Sequence, residues 1–215
     1  KTPPTGLEDT RGLMGEERII KDAAALESLR HAVKLTVDGH AEAARALVPG
    51  QYEHEFEARL EYHYRRNGST GPGYGNIVGA GDNATVLHYV DNDAPMRDGD
   101  LLLVDSGAEW EYFTGDLTRC YPVSGKFNAA QRDLYEVVLE ANRRGVAGCV
   151  VDGTVEKIHE TCLRVLVRGL LDLGLLEGSV DAAIERETYK RYYMHRTSHW
   201  LGVDVHDVGA YTLDR

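Results

Sequence analysis

The chain lacks a surplus of positive charge: 24 lysines and arginines stand against 35 aspartates and glutamates, a net charge of −11. A nucleic-acid ligand is thereby excluded, because holding phosphates needs a concentrated basic face. The nearest candidate, Arg65-Arg66, is a pair at a helix end, where cations favour the dipole. There is no apolar run of the ~20 residues that a membrane span needs, and the opening KTPPTGLEDTRGLMGEER contains no apolar signal core. The expectation is a soluble, cytoplasmic protein with no membrane partner. Cysteine is scarce: Cys120, Cys149 and Cys162 are odd in number and show no CxxC spacing. Neither a disulfide framework nor a zinc knuckle follows, and all three are expected to be small apolar fillers.

What is present suffices for one sizeable core or two lobes sharing it, with 42% hydrophobic residues in 215. Residues 1–18 are polar, with Pro3-Pro4 and three glycines, and are expected to be a linker or the tail of a preceding domain. From Asp22, a predicted N-cap, apolar residues recur at Leu26, Leu29, Val33, Val37, Ala41, Ala44 and Leu47, the spacing of a helix that Pro49-Gly50 ends. A second helix carries Phe56, Leu60 and Tyr64 on one face and stops at Asn67-Gly68. The period then changes, and NIV, ATVLHYV, DLLLVDSG and RCYPV predict strands between Tyr74 and Val123. Helices return with Asn128 as cap (Leu134, Val137, Val138, Ala141) and with Thr154 as cap (Val155, Ile158, Cys162, Val165, Leu166, Leu170), ending near Gly174. After a variable stretch, HWLGVDVHDVGAYTL again predicts strand.

Helix, turn, helix, strands thus occurs twice, with Pro49-Gly50 and Asp152-Gly153 in equivalent turns 103 residues apart. An internally duplicated α/β fold is expected, its second half short of strands.

Three segments could carry chemistry. In VDSGAEWEYFTGDLTR, Asp105 ends the apolar strand LLLV and Asp116 follows eleven residues later. A carboxylate there must have its charge compensated. Two such carboxylates joined by a hairpin could converge on a hard divalent cation such as manganese or magnesium, or each could simply close a turn. In MHRTSHWLGVDVHDVG, His195, His199 and His206 fall within twelve residues, and His195 and His199 would share a face of a strand or helix. Histidine suits metal binding and proton work near neutral pH, while the bland alternative is structural histidines. Asp207 could orient an imidazole or close a turn. The third segment offers His88, after the β-like TVL. His31, His40, His54, His63 and His159 fall on predicted helices and are assigned no chemistry. GAGDNA fits a dinucleotide fingerprint, but no helix follows it, so nucleotide binding is excluded. Ser106 and Ser198 lack a nucleophile-elbow context.

In this order and spacing, YGNIVGAGDNATVLHY, MRDGDLLLVDSGAEWEYFTGDLTRCYPVSGKF and HRTSHWLGVDVHDVGAY resemble the pita-bread metallopeptidases over about Ile19 to Arg215. That group includes aminopeptidase P, prolidase, methionine aminopeptidase and creatinase, and the resemblance is strongest to the bacterial aminopeptidase P (Xaa-Pro aminopeptidase) branch. It implies a catalytic domain over 19–215 with an internally duplicated fold. The implied activity is hydrolysis of the bond between an N-terminal residue and a following proline, by a hydroxide bridging two divalent metal ions. Manganese is the first expectation, with zinc or cobalt as alternatives. By the same resemblance Asp105, Asp116 and His199 are metal ligands, with Asp116 bridging. His88, His195 and His206 line the pocket and stabilise the oxyanion, and Asp207, Tyr74 and Arg119 support them. Further glutamate ligands are implied after the histidine segment, and the family's N-terminal domain before this one. This chain alone is therefore expected to be metal-poor or inactive, and the intact parent to form homo-oligomers. The alternatives are an Xaa-Pro dipeptidase and a non-catalytic peptide-binding module.

Overall fold

A computed structural model describes residues 9–209, which divide into two compact units. One unit runs to Lys126 and takes back Trp200–Gly209; the other is Phe127–His199.

The first unit begins with helix α1 (Arg11–Ile19), all but its last residue in the span expected to be a linker. Its attachment is electrostatic: Arg18 bonds Asp204 at 2.7 Å and also pairs with Asp207, while Lys21 Nζ meets Asp207 Oδ2 at 2.7 Å. These partners lie more than 180 residues away in sequence, so local composition could not announce them. Residues 1–8 of the expected linker lie outside the described residues.

Helix α2 (Ala23–Arg45) starts where expected, the Asp22 carboxylate accepting from the Ala25 N–H at 2.8 Å. Its buried face is not the expected one. Ala32, Leu35, Thr36, Gly39, His40 and Ala43 point inward, whereas Leu26, Val33 and Val37 are exposed. Small residues win this face because the neighbour comes very close: a Cβ on Gly39 would lie 2.6 Å from Tyr64 Cε1. Helix α3 (Glu53–Arg66) buries Phe56, Leu60 and Tyr64 as expected and ends at Asn67.

These two helices cover an antiparallel sheet of order β2 (Ile77–Ala80), β3 (Leu101–Ser106), β6 (Leu117–Pro122). A smaller sheet joins β1 (Gly71–Pro72), β4 (Ala108–Trp110) and β5 (Phe113–Thr114). The LLLV run is apolar because β3 is the central strand. Its alternation buries Leu102, Val104 and Ser106, leaving Leu101, Leu103 and Asp105 half-buried on the opposite face. The core gathers Leu35, Phe56, Leu60, Tyr64, Val78, Met96, Leu102 and Val104. Each such side chain contributes about 1.5–3 kcal/mol when removed from water.

Two strand expectations fail here. ATVLHYV begins in a 3-10 turn (Gly81–Thr85) and continues without strand structure, with Val86, Leu87 and Val90 exposed. Trp200–Gly209 consists of bends, and the rest of that predicted strand lies outside the described residues. Among the described residues ATVLHYV has no strand beside it to pair with, and Trp200–Gly209 meets β5 through one backbone bond, the Thr114 amide donating to the Gly202 carbonyl at 3.0 Å.

The second unit is a helix pair, α4 (Ala129–Ala147) and α5 (Val155–Asp172), followed by α6 (Val180–Glu185) and a 3-10 turn at Thr188–Arg191. Asn128 and Thr154 cap α4 and α5 as expected, accepting from the Gln131 and Lys157 amides. The two helices touch through glycine: a Cβ on Gly169 would sit 2.3 Å from Val137 Cγ1, and one on Gly145 2.8 Å from Cys162 Sγ. Leu134 and Val138 nevertheless stay exposed. Cys162 is the expected filler and Cys120 half-buried, but Cys149 is exposed, at the end of the turn after α4.

Candidate functional site

Asp105 and Asp116 converge. Asp105 is near the end of β3 and Asp116 immediately precedes β6, its neighbour in the sheet. Between them the chain leaves as β4, turns at Glu111-Tyr112 with positive φ, and returns as β5. Two glycines allow the ends of this excursion to close. A Cβ on Gly107 would lie 1.7 Å from the Gly115 carbonyl oxygen and 2.9 Å from Tyr74 Cε1. A Cβ on Gly115 would lie 2.3 Å from Thr36 Oγ1 and 3.0 Å from the Ala32 carbonyl oxygen. The Gly115 amide donates to Ala108 O at 2.9 Å, and the Gly73 amide to Gly107 O at 2.9 Å, which brings the strand before Tyr74 alongside.

Tyr74 completes the arrangement. Its hydroxyl donates to Asp105 Oδ1 at 2.5 Å and reaches Asp116 Oδ1 at 3.2 Å. Burial first, then the negative charge of Asp105 and Asp116, pushes this phenol far above its ordinary value, so it remains a donor. Behind β3, Ser106 Oγ donates to Asn76 Oδ1 at 2.6 Å and meets the Tyr64 hydroxyl at 2.9 Å. Asn76 in turn bonds Glu57 and Glu61 of α3. The strand that presents Asp105 is thus held from its other face by side-chain bonds.

Two carboxylates drawn onto one hydroxyl repel each other, and a divalent cation is a group whose charge offsets that repulsion. The oxygen donors fit a hard metal. Among the described residues, no group of three or more His, Cys, Asp or Glu side chains is gathered as a metal cage.

The histidines are distributed differently. His88 is exposed in a turn of the first unit at φ 55°. His195 and His199 belong to the second unit, in irregular chain; they share neither the strand nor the helix face expected for them, and Ser198 between them has φ 69°. His195 Nδ1 lies 2.8 Å from the Arg196 carbonyl oxygen. A carbonyl can only accept, so Nδ1 is the donor in this contact. His206 is exposed in the first unit. Arg119 is exposed on β6 and bonds the Thr118 carbonyl. Asp207 orients no imidazole through the bonds described: its buried carboxylate is taken by Lys21 and Arg18.

Sequence reasoning missed Gly107 and Gly115. The available signal was their placement, each within two residues of an aspartate, in DSG and TGD. It also missed Glu53, a buried carboxylate at the start of α3.

A profile of metallopeptidase family M24 matches residues 27–214. The chain belongs to metallopeptidase family M24. The Xaa-Pro aminopeptidase of Haemophilus influenzae is 40% identical over 207 residues, which are 96% of this chain and 48% of that protein. Among solved structures, Pseudomonas aeruginosa aminopeptidase PepP superposes with a TM-score of 0.95 at 42% identity, covering 99% of this M24 chain and 48% of that one. Zn-substituted Escherichia coli aminopeptidase P in complex with product superposes at 0.92 with 38% identity, covering 98% and 48%. The M24 chain therefore spans about half the length of these relatives. Its mixed α/β architecture is of the pita-bread class, as expected, and membership of a metallopeptidase family implies divalent metal ions. Among the described residues no helix is long and apolar enough to cross a membrane.

Proposed function

We propose that this chain serves an Xaa-Pro aminopeptidase, a cytoplasmic hydrolase that releases the N-terminal residue of a peptide whose second residue is proline. The observation that carries the reading is the pair Asp105–Asp116 drawn onto the Tyr74 hydroxyl, in a chain 40% identical to a relative bearing that name. Asp105, Asp116 and His199 would hold the two divalent ions, manganese before zinc or cobalt. Such ions, when bound, polarise a carbonyl and bring water to a nucleophilic state near neutral pH.

The chain's own residues do the rest. Tyr74 keeps its proton and fixes the orientation of both carboxylates. A prolyl bond has no N–H and a fixed φ, so extended-strand recognition fails and side chains must recognise the substrate. His88, His195 and His206 hydrogen-bond the peptide and the oxyanion that develops at the scissile carbonyl. With its Nδ1 engaged by the Arg196 carbonyl, His195 has its Nε2 left for hydrogen bonding to the substrate. Homo-oligomers are the expected assembly of the intact parent.

The test is incubation with manganese and an Xaa-Pro-Yaa tripeptide beside an Xaa-Pro dipeptide, following release of the first amino acid. Tripeptide cleavage lost in Asp116→Asn supports the proposal. Cleavage of the dipeptide alone replaces it with a dipeptidase. Cleavage of neither, by this chain or by one extended to the length of its relatives, removes it.

A further inference from the structure

The segment between β2 and β3 carries His88 yet has no strand or helix beyond the 3-10 turn at Gly81–Thr85 to hold it. Its exposed part includes Val86, Leu87, His88 and Val90, and its backbone adopts positive φ at two non-glycine residues, His88 (55°) and Asn92 (49°). Such conformations persist only where the surroundings over-determine them. A buried carboxylate is foremost among the groups that hold the segment.

Glu53, fully buried, uses both oxygens on this segment. Oε1 accepts from the Ala80 amide at 2.7 Å and from Asn83 Nδ2 at 3.1 Å. Oε2 accepts from the Tyr89 hydroxyl at 2.8 Å and from the Ala94 amide at 3.0 Å. The Glu53 amide donates to the Ala94 carbonyl at 3.0 Å, so the first turn of α3 grips the segment by main chain as well. Asn83 and Tyr89 also bond each other, at 3.0 Å. His88 lies in the interval between those two anchors, directly beside Tyr89. Asn92 supplies a second fastening, accepting from the Val78 amide and donating to the Asn76 carbonyl, each at 3.0 Å.

We infer that Glu53 is a positioning residue: it holds the His88 turn, and through it sets where the His88 imidazole stands. This rests on the proposed role of His88 for its catalytic meaning, but not for its mechanical content. Four donors converging on two oxygens require an acceptor at every position. Glutamine in place of Glu53 would turn an N–H toward either the Ala80–Asn83 pair or the Tyr89–Ala94 pair, opposing donor to donor.

The experiment is amide hydrogen exchange on the full 215-residue chain, comparing wild type, Glu53→Gln and Leu60→Ala. The last lowers stability from the core of the same unit and is no partner in the hydrogen bonds that hold the turn. Glu53→Gln is expected to speed exchange of peptides covering residues 80–94 about tenfold more than Leu60→Ala at matched global stability. Equal exchange in the two variants overturns the inference. Should Glu53→Gln not fold, Tyr89→Phe removes one donor only, and faster exchange confined to residues 83–94 is expected; unchanged exchange there is again fatal. In peptide cleavage by a chain extended to the length of its relatives, Glu53→Gln should lower kcat but cause no further loss when added to His88→Ala. Additive losses would show that Glu53 does not act through His88. If His88→Ala leaves cleavage intact, the role of His88 falls, while the clamp is still judged by exchange.

Discussion

The Tyr74 hydroxyl donates to Asp105 at 2.5 Å across 31 residues of sequence, and the same oxygen reaches Asp116 at 3.2 Å. One proton thereby holds together two carboxylates that electrostatics would drive apart.

Removing that proton should loosen the pair. In a chain extended to the length of its relatives, Tyr74→Phe is expected to weaken manganese binding by about tenfold, the usual scale for losing a group that orients metal ligands. The metal-free chain should also lose ~1–2 kcal/mol of stability, since a partly buried hydroxyl and its two acceptors no longer meet. Calorimetric titration and urea unfolding measure the two effects. Unchanged manganese affinity would show that Tyr74 does not orient ligands.

The glycine pair is predicted to be intolerant. Gly107→Ala places a Cβ 1.7 Å from the Gly115 carbonyl oxygen, where only backbone movement can relieve the clash. A loss of about 2–4 kcal/mol is expected, typical of overpacking that the main chain must absorb. Gly99→Ala serves as a control for a glycine with open space around it, where only its positive φ opposes the change. Denaturant midpoints compare the two, and the Gly107 variant should also lose manganese affinity, because it separates Asp105 from Asp116.

His40 makes stability depend on pH. It is buried, its Nδ1 lies 3.1 Å from the Tyr121 hydroxyl, and burial, with a further contribution from the Arg119 charge, lowers its pKa from 6.5 to about 4. Between those values the unfolded chain binds a proton that the folded chain refuses, so stability falls as pH drops through that window. A shift of this size corresponds to at most about 3 kcal/mol. Urea midpoints from pH 7 to 4 should fall more steeply for wild type than for His40→Gln; parallel curves would assign the pH dependence to other groups.

Asp207 should act as the anchor of α1. Its carboxyl is held below the ordinary value: burial pushes it up, but the Lys21 bond, the Val208 amide and Arg18 outweigh that effect. Its stabilising contribution is present above pH 3.8, the unfolded value, and lost as pH falls through the lower folded one. Asp207→Asn is expected to cost ~2–3 kcal/mol, less than for a fully buried pair because Arg18 remains partly exposed. Proteolysis should then cut within Arg11–Ile19 before it cuts elsewhere in the unit, and equal resistance in variant and wild type would refute the anchoring role.

Much of the fold was legible because it is local. The caps Asp22, Asn128 and Thr154 each bond an amide three residues on, so a short window contains both partners. The face of α3 was legible from Phe56, Leu60 and Tyr64, and β3 from its apolar run. The face of α2 was not. Its valines are exposed and its small residues buried, since the close approach of Tyr64 to Gly39 rewards the absence of a side chain. The strand expected at ATVLHYV failed for a related reason: no neighbouring strand lies alongside, and Glu53, some thirty residues earlier, supplies the bonds instead.

The candidate site divides in the same way. The amino-acid sequence alone determined the α/β class, the family resemblance and the choice of Asp105 and Asp116, because strand periodicity and motif order are carried by adjacent residues. Tertiary structure alone decided that these two aspartates share one phenol, that Gly107 and Gly115 make room for it, and that Asp207 belongs to Arg18 and Lys21. Those relations depend on which distant backbones can approach within a hydrogen bond, and only the packed chain settles that distance.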